Sequence, residues 1–193
     1  MRAASALILA GGKSSRFGRD KTQLKLNGAT LAERAVEHVR PIFDEILIAG
    51  EAEKFRIPGA RAIPDIFPGA GPLGGIHSGL SYSKNDAVFA LACDMPNFDA
   101  ALCKRLISLC ETYDIAVPRA DGEAEPLFAV YRKAALPAAE KLLREGNYRV
   151  RALFSLVNTG YLDVEPVPGE TSPFFNINYK EDYERLIRPA KED

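Results

Sequence analysis

Apolar residues recur along this chain in two rhythms, short unbroken runs and stretches where they return every three or four positions. The first run, residues 6–10, reads as a buried strand that breaks into Gly11-Gly12. Thr30 and Glu33 have capping-box spacing, and Leu31, Ala35, Val36, Val39, Ile42 and Phe43 follow at helical intervals. Asp44-Glu45 ends that helix, 46–49 reads as the second strand, and 62–64 is a short third strand closing at Asp65. Pro72 suits the first turn of a helix. Gly74, Gly75 and Gly79 each cost that helix roughly 1 kcal/mol against alanine. The preferred reason is close approach of a flat base or sugar to the backbone, ahead of tight packing on a sheet. Residues 87–93 form a continuous apolar run, as in a central parallel strand buried on both faces.

Beyond it, Asp99 can cap a helix carrying Leu102, Leu106, Leu109, Cys110 and Tyr113. Residues 115–118 read as a strand, the polar 119–125 as a turn with the hairpin signal Asp121-Gly122, and 126–131 as the returning strand. Residues 134–145 suit a helix stopped by Gly146, 161–164 a further strand, and Asn178 with Glu181 the cap of a last helix. This order predicts an α/β fold, a three-layer sandwich with a mostly parallel, Rossmann-like central sheet.

The break after the first strand carries candidate chemistry. Glycines let backbone N–H groups approach an anion, and Arg16 and Lys21 bring a forked and a point cation to the same loop. That combination suits the phosphates of a nucleoside triphosphate. The spacing fits neither G-x-x-x-x-G-K-[ST] nor G-x-G-x-x-G. Asp94 follows the run 87–93, and ligands of open α/β sheets sit beyond the carboxyl ends of strands. A carboxylate beside a triphosphate suits Mg²⁺, and this reading is preferred over a simple turn aspartate.

The 193 residues suit a single domain, with a nucleotide-binding half over about 1–97 and a second-substrate half over about 98–193. A net charge of −1 offers no basic field for nucleic acid, and the longest apolar runs are too short to span a bilayer. No signal-peptide pattern follows Met1-Arg2, so a cytoplasmic location is expected. Cys93, Cys103 and Cys110 are expected to be buried free thiols, and His38 and His77 surface or hydrogen-bonded residues.

The string Leu9-Ala10-Gly11-Gly12-Lys13-Ser14-Ser15-Arg16-Phe17-Gly18-Arg19-Asp20-Lys21 resembles the L-A-G-G-x-x-x-R-x-G-x-D-K signature of nucleotidyltransferases that act on the molybdenum cofactor, and more broadly the sugar-nucleotide pyrophosphorylases. Gly71-Pro72-Leu73-Gly74-Gly75 resembles G-P-L-A-G, with glycine for the alanine. Cys93-Asp94-Met95-Pro96 matches C-D-x-P, and Pro126-Leu127-Phe128-Ala129-Val130-Tyr131 resembles P-L-x-A-V-Y. The run from Asn176 to Tyr183 resembles N-x-N-T-P-E-D-L, with Tyr179-Lys180 in place of Thr-Pro. Together these segments resemble the molybdenum cofactor guanylyltransferases of the MobA-like NTP transferase group, whose fold is of the nucleotide-diphospho-sugar transferase type.

The resemblance implies transfer of GMP from GTP to the phosphate of molybdopterin cofactor, giving a guanine dinucleotide and pyrophosphate. It implies catalytic roles for Arg16, Lys21 and Asp94, nucleotide contacts from Leu9, Ala10, Gly11, Gly12, Asp65 and Gly71, and Mg²⁺ on Asp94. Pro126, Leu127, Arg149, Asn176 and Asn178 are expected on the second-substrate side, with Phe128 and Tyr131 equally open to a core role and Arg149 almost equally to a solvated helix face. Ala49 stands where many relatives have Asn. Cofactor-delivering or molybdoenzyme partner proteins are implied. A cytidylyltransferase, a sugar-phosphate nucleotidyltransferase and a nucleotide-binding regulatory module remain open.

Overall fold

The computed structural model describes residues 4–11, 24–26, 28–50, 55–165, 172–177 and 182–183. In chain order they form β1 (Ala4–Leu9), β2 (Lys25–Leu26), β3 (Ala29–Thr30), α1 (Leu31–Val39), β4 (Ile46–Ala49), β5 (Arg61–Ile63), α2 (Gly71–Tyr82), β6 (Ala87–Ala92), α3 (Ala100–Leu109), β7 (Ile115–Ala120), β8 (Glu123–Ala124), β9 (Phe128–Arg132), α4 (Leu136–Arg144), α5 (Val150–Leu153) and β10 (Thr159–Asp163).

The main sheet runs β10-β7-β9-β6-β1-β4-β5, with β8 paired to β7. β1 lies parallel to both β4 and β6, and β4 parallel to β5. β9 runs antiparallel between β6 and β7, and β10 returns parallel to β7. The sheet is therefore mixed and mostly parallel at its centre.

Alternation explains the layers. Ala6 and Ile8 of β1 pack with Ala32, Val36 and Val39 of α1 and Leu102 and Leu106 of α3. Leu7 and Leu9 face the other way, onto Leu73, Ile76 and Leu80 of α2 and Leu142 and Leu143 of α4. A strand covered on both faces reads as a continuous apolar run, which is why β1 and β6 were plain in the sequence.

Local signals hold in detail. Thr30 Oγ1 accepts from the Glu33 amide at 3.2 Å, and Glu33 Oε2 accepts from the Thr30 amide at 2.7 Å. Asp99 Oδ1 accepts from Ala101 and Leu102 at 2.8 and 2.9 Å, capping α3. Asp121 and Gly122 both take positive φ, 52° and 79°, as a two-residue hairpin turn requires. The three cysteines are buried and free.

Several expectations are corrected. α1 ends at Val39, before Pro41, whose ring cannot continue a helix. Ile42 and Phe43 instead pack on the core from the following turn. The region 134–145 splits into a 3-10 turn, Lys133–Ala135, and α4. The β2–β3 hairpin was not foreseen, although Asn27-Gly28 in the sequence is a hairpin signal. Phe128 and Tyr131 are fully buried core residues. The cap expected from Asn178 and Glu181 lies outside the described residues.

The glycines of α2 also differ from expectation. A methyl at Gly79 would run into Leu7, and one at Gly75 would stand 2.7 Å from Leu9 Cδ2. One at Gly74 would meet Phe67 O at 3.0 Å. These residues let α2 lie close on the sheet and on its own entry turn, so packing accounts for them.

Neither histidine is a satisfied surface group. His77 is 5% exposed, packs edge-on to Phe67 with ring centres 5.0 Å apart, and has a buried Nδ1 without a hydrogen-bond partner among the described residues. His38 is half-buried and stacks on Phe98 at 5.8 Å, its Nδ1 likewise without a partner. Burial holds both imidazoles below their ordinary pKa, with the charge of Arg34 adding for His38.

At the amino ends of the central strands Glu45 anchors a polar network. Its Oε2 accepts from Ser5 Oγ at 2.6 Å and from the Lys84 amide at 2.8 Å, and its Oε1 pairs with Arg61 at 3.2 Å. Burial alone would push this carboxyl up, but the bonds from Ser5, Lys84 and Arg61 hold it below the usual range.

A candidate nucleotide site at the carboxyl ends of the strands

Four parallel strands end at one level. Ile63 lies beside Ala49, Ala49 beside Leu9, and Leu9 beside Ala92. The residues that leave this row are Pro64-Asp65, Gly50, Ala10-Gly11 and Cys93-Asp94, so the register alone gathers Leu9, Ala10, Gly11, Asp65 and Asp94 on one edge. The row is laced by Ala10 N to Ala49 O at 3.0 Å and Cys93 N to Leu9 O at 3.2 Å.

The floor of this edge is backbone. Gly50 adopts φ +135°, and a Cβ there would stand 3.1 Å from Ala10 O. Gly11 is exposed directly opposite Gly50. Gly71, the first residue of α2, takes φ +63° with open space where a side chain would be. Gly12, Arg16 and Lys21 lie outside the described residues.

Asp65 is the most telling side chain. It is half-buried, and its Oδ1 is enclosed without a hydrogen-bond partner among the described residues. Desolvation pushes its carboxyl above the ordinary range. Buried polar atoms are nearly always satisfied, so an oxygen left without a donor among the described residues stands out at this edge. The next residue is firmly held: Ile66 N donates to Ser78 Oγ at 2.9 Å, and that hydroxyl donates to Gly74 O at 2.9 Å.

Asp94 is half-buried, and its carbonyl accepts from Ile177 N at 2.9 Å. That bond docks the segment 172–177 beside it. Asn97 Nδ2 donates to Ser172 O at 3.1 Å, and Phe174 packs on Phe128 at 5.7 Å. Asn176 is thereby brought next to the Asp94 turn, while its Nδ2 donates to Phe174 O at 3.0 Å. Asn178 lies outside the described residues.

Pro126 and Leu127 are half-buried beside the same strand end, since Leu127 O accepts from Ala92 N at 2.9 Å. Arg149 is exposed at the start of α5, and no hydrogen bond or ion pair among the described residues ties it to the strand ends. Arg151 instead pairs with Glu123 and bonds Ala124 O at 2.6 Å.

Sequence reasoning missed Glu125. It closes a polar stretch that reads as a solvent turn, yet it is half-buried and its Oε1 accepts from Leu127 N at 3.0 Å. Burial pushes its carboxyl up, the Leu127 amide and Arg151 pull it down, and the charge of Asp94 pushes it up again. Two carboxylates therefore lie within electrostatic reach at one strand end. Among the described residues no three His, Cys, Asp or Glu side chains group together. A Mg²⁺ ion held partly by phosphates needs only one or two carboxylates, so the donor set fits such an ion. A separate cleft of about 470 Å³ is lined by Pro137, Glu140, Lys141, Arg144 and Glu145 of α4, and shares no residue with this edge.

Residues 6–160 match the family model described as the MobA-like NTP transferase domain. The chain belongs to this family. It is a nucleotidyltransferase, and the transferase shares 33% identity over 191 residues with the probable molybdenum cofactor guanylyltransferase of Carboxydothermus hydrogenoformans, covering 97% of both chains. A protein of the same name from Clostridium perfringens is 35% identical over 190 residues, covering 95% of this chain and 96% of that one. Among solved structures, molybdopterin-guanine dinucleotide biosynthesis protein A from Archaeoglobus fulgidus superposes with a TM-score of 0.81 at 26% identity, covering 95% of this transferase and 96% of that chain. The 2-C-methyl-D-erythritol 4-phosphate cytidylyltransferase of Thermus thermophilus, at 18% identity and a TM-score of 0.72 over 96% of this transferase and 97% of that chain, shares the fold. No helix among the described residues is long and apolar enough to cross a membrane.

Proposed function

We propose that the transferase moves GMP from GTP to the terminal phosphate of molybdopterin cofactor. One oxygen of that phosphate attacks the α-phosphorus of GTP, the bond from the α-phosphorus to the bridging oxygen breaks, and pyrophosphate leaves with the electron pair. The observation that supports this reading is the edge on which Gly11, Asp65, with an oxygen unpartnered among the described residues, and Asp94 stand together.

The chemistry demands little of the protein's own acids and bases. A phosphate monoester has its second pKa at about 6, so the nucleophile is already ionised near neutrality. Phosphoryl-type transfer then needs in-line positioning and charge neutralisation. Ala10, Gly11 and the backbone around them receive the phosphates, and Asp65 takes a donor from the nucleoside. Arg16 and Lys21 of the glycine-rich motif are assigned to the triphosphate and the charge of the departing pyrophosphate. Asp94 would hold Mg²⁺, which would supply positive charge to offset that of the phosphates. Asn176, with Pro126 and Leu127, is assigned to the side where the pterin phosphate arrives, and the same role is given to Asn178 and Arg149 from the sequence. On this reading residues 1–97 form the nucleotide half and 98–193 the acceptor half of one cytoplasmic enzyme, which receives and passes on a labile cofactor through partner proteins. Guanine as the base is supported by the names of the relatives.

The test is pyrophosphate release with Mg²⁺, molybdopterin and each of the four nucleoside triphosphates in turn. GTP alone should support release. Equal or greater release with CTP, release only with a sugar phosphate as acceptor, or nucleotide binding without release each overturns the proposal.

A further inference from the structure

The hairpin of β7 and β8 ends on Glu125, which is engaged at its amide, its carbonyl and its side chain. Its N–H donates to Pro118 O at 2.9 Å, its C=O accepts from Phe128 N at 3.4 Å, and its Oε1 accepts from Leu127 N at 3.0 Å. Leu127 passes the constraint on, because its carbonyl accepts from Ala92 N at 2.9 Å. Ala92 is the last residue of β6 and stands two before Asp94. The surroundings brace the same turn. Arg151 bonds Ala124 O at 2.6 Å, and Tyr131, fully buried, donates its hydroxyl to Pro126 O at 2.7 Å.

From this chain of bonds we propose that Glu125 is a positioning residue for the transfer. Its carboxylate closes the Pro126–Leu127 turn, the turn presents the Leu127 carbonyl to the end of β6, and the end of β6 sets where Asp94 stands. The inference rests on the reading above that Asp94 serves the nucleotide. Glu125 acts by accepting one hydrogen bond, so a side-chain amide serves in its place, whereas a methyl or a thioether does not. Losing a buried acceptor leaves the Leu127 N–H unpaired and frees the turn.

The test compares E125Q, E125A and E125M in the full chain. Hydrogen exchange is read at the Leu127 and Ala92 amides without nucleotide, and kcat and KM for GTP are measured with Mg²⁺. E125A is expected to speed exchange at both amides and to lower kcat by about tenfold with KM for GTP little changed. E125Q is expected to keep wild-type exchange and most of kcat. E125M fills nearly the same volume without an acceptor and carries the same expectation should E125A fail to fold. Exchange at Ala92 unchanged in E125A and E125M overturns the proposal, as does E125Q falling as far as they do. D94A run alongside separates the two claims. Full activity in D94A sinks the role given to Asp94, while the exchange data still decide whether Glu125 holds the turn.

Discussion

Two carboxylates at opposite ends of the same strands have opposite fates. At the amino end Glu45 is ringed by donors, from Ser5 Oγ at 2.6 Å, the Lys84 amide at 2.8 Å and Arg61 at 3.2 Å. Ser5 and Ser83 share a further bond at 2.7 Å, and Asn85 Nδ2 donates to Ser5 Oγ at 3.0 Å. At the carboxyl end Asp65 has an enclosed oxygen with no partner among the described residues. The first carboxyl is held below its ordinary pKa by those bonds against the push of burial, and the second is raised by burial. One end of the sheet spends its polar groups on one another and gains stability. The other gathers Asp65, two glycines and Asp94 where the strands end, the edge assigned above to the nucleotide.

Changes at the two ends should therefore separate stability from activity. The largest effect is expected at the carboxyl end. Asp94→Ala should lower turnover by about a hundredfold or more, since a lost metal ligand removes several kcal/mol of charge stabilisation. Its thermal midpoint should stay near wild type. Lys21→Ala, in the motif outside the described residues, is expected to match it. Normal turnover in either variant refutes the assigned role.

At the amino end the effect should be on folding alone. Glu45→Ala strands the Ser5 and Lys84 donors and is expected to cost about 1–3 kcal/mol in urea unfolding at neutral pH, with KM for GTP unchanged. The sign of its pH dependence follows from a depressed pKa. The contribution of Glu45 is present above the unfolded carboxyl value of 4.5 and is lost as pH falls through the lower folded value. The gap between wild type and variant should narrow there, and a gap that widens in acid contradicts the assignment.

The smallest effect, and the sharpest, concerns Asp65. Its folded pKa is raised, so as pH rises through the window above the unfolded value of 3.8 the free protein loses stability on its account. Asp65→Ala should raise the stability of the free protein by up to about 1 kcal/mol by removing a desolvated, unpaired group. The same change should shrink the thermal shift produced by GTP. A variant that is destabilised when free and stabilised normally by GTP would show that Asp65 is structural.

What the sequence made legible follows from what each element meets. β1 and β6 were plain because helices cover both faces; Asp94 was singled out because ligands of open sheets gather where such strands end, and Asp65 through the family resemblance alone. Thr30, Asp99 and Asp121-Gly122 act within a few residues of themselves, so local spacing sufficed. The glycines of α2 misled because a missing side chain has the same appearance whether it makes room for a ligand or for Leu7 and Leu9. Glu125 was hidden for the converse reason. Its polar neighbours suggest solvent, and only the return of β9 against β6 brings it to the end of the central strand. His77 was misjudged because α4 covers the α2 face on which it lies, a tertiary fact without a local signal.

The central claim is that the row of strand ends is the seat of the nucleotide. A crystal structure with GTP and Mg²⁺ tests it most directly. It should show the triphosphate against Gly11, the metal on Asp94 and a donor of the nucleoside on Asp65 Oδ1. A nucleotide seated elsewhere, such as the cleft along α4, with Asp65 and Asp94 untouched, would contradict it.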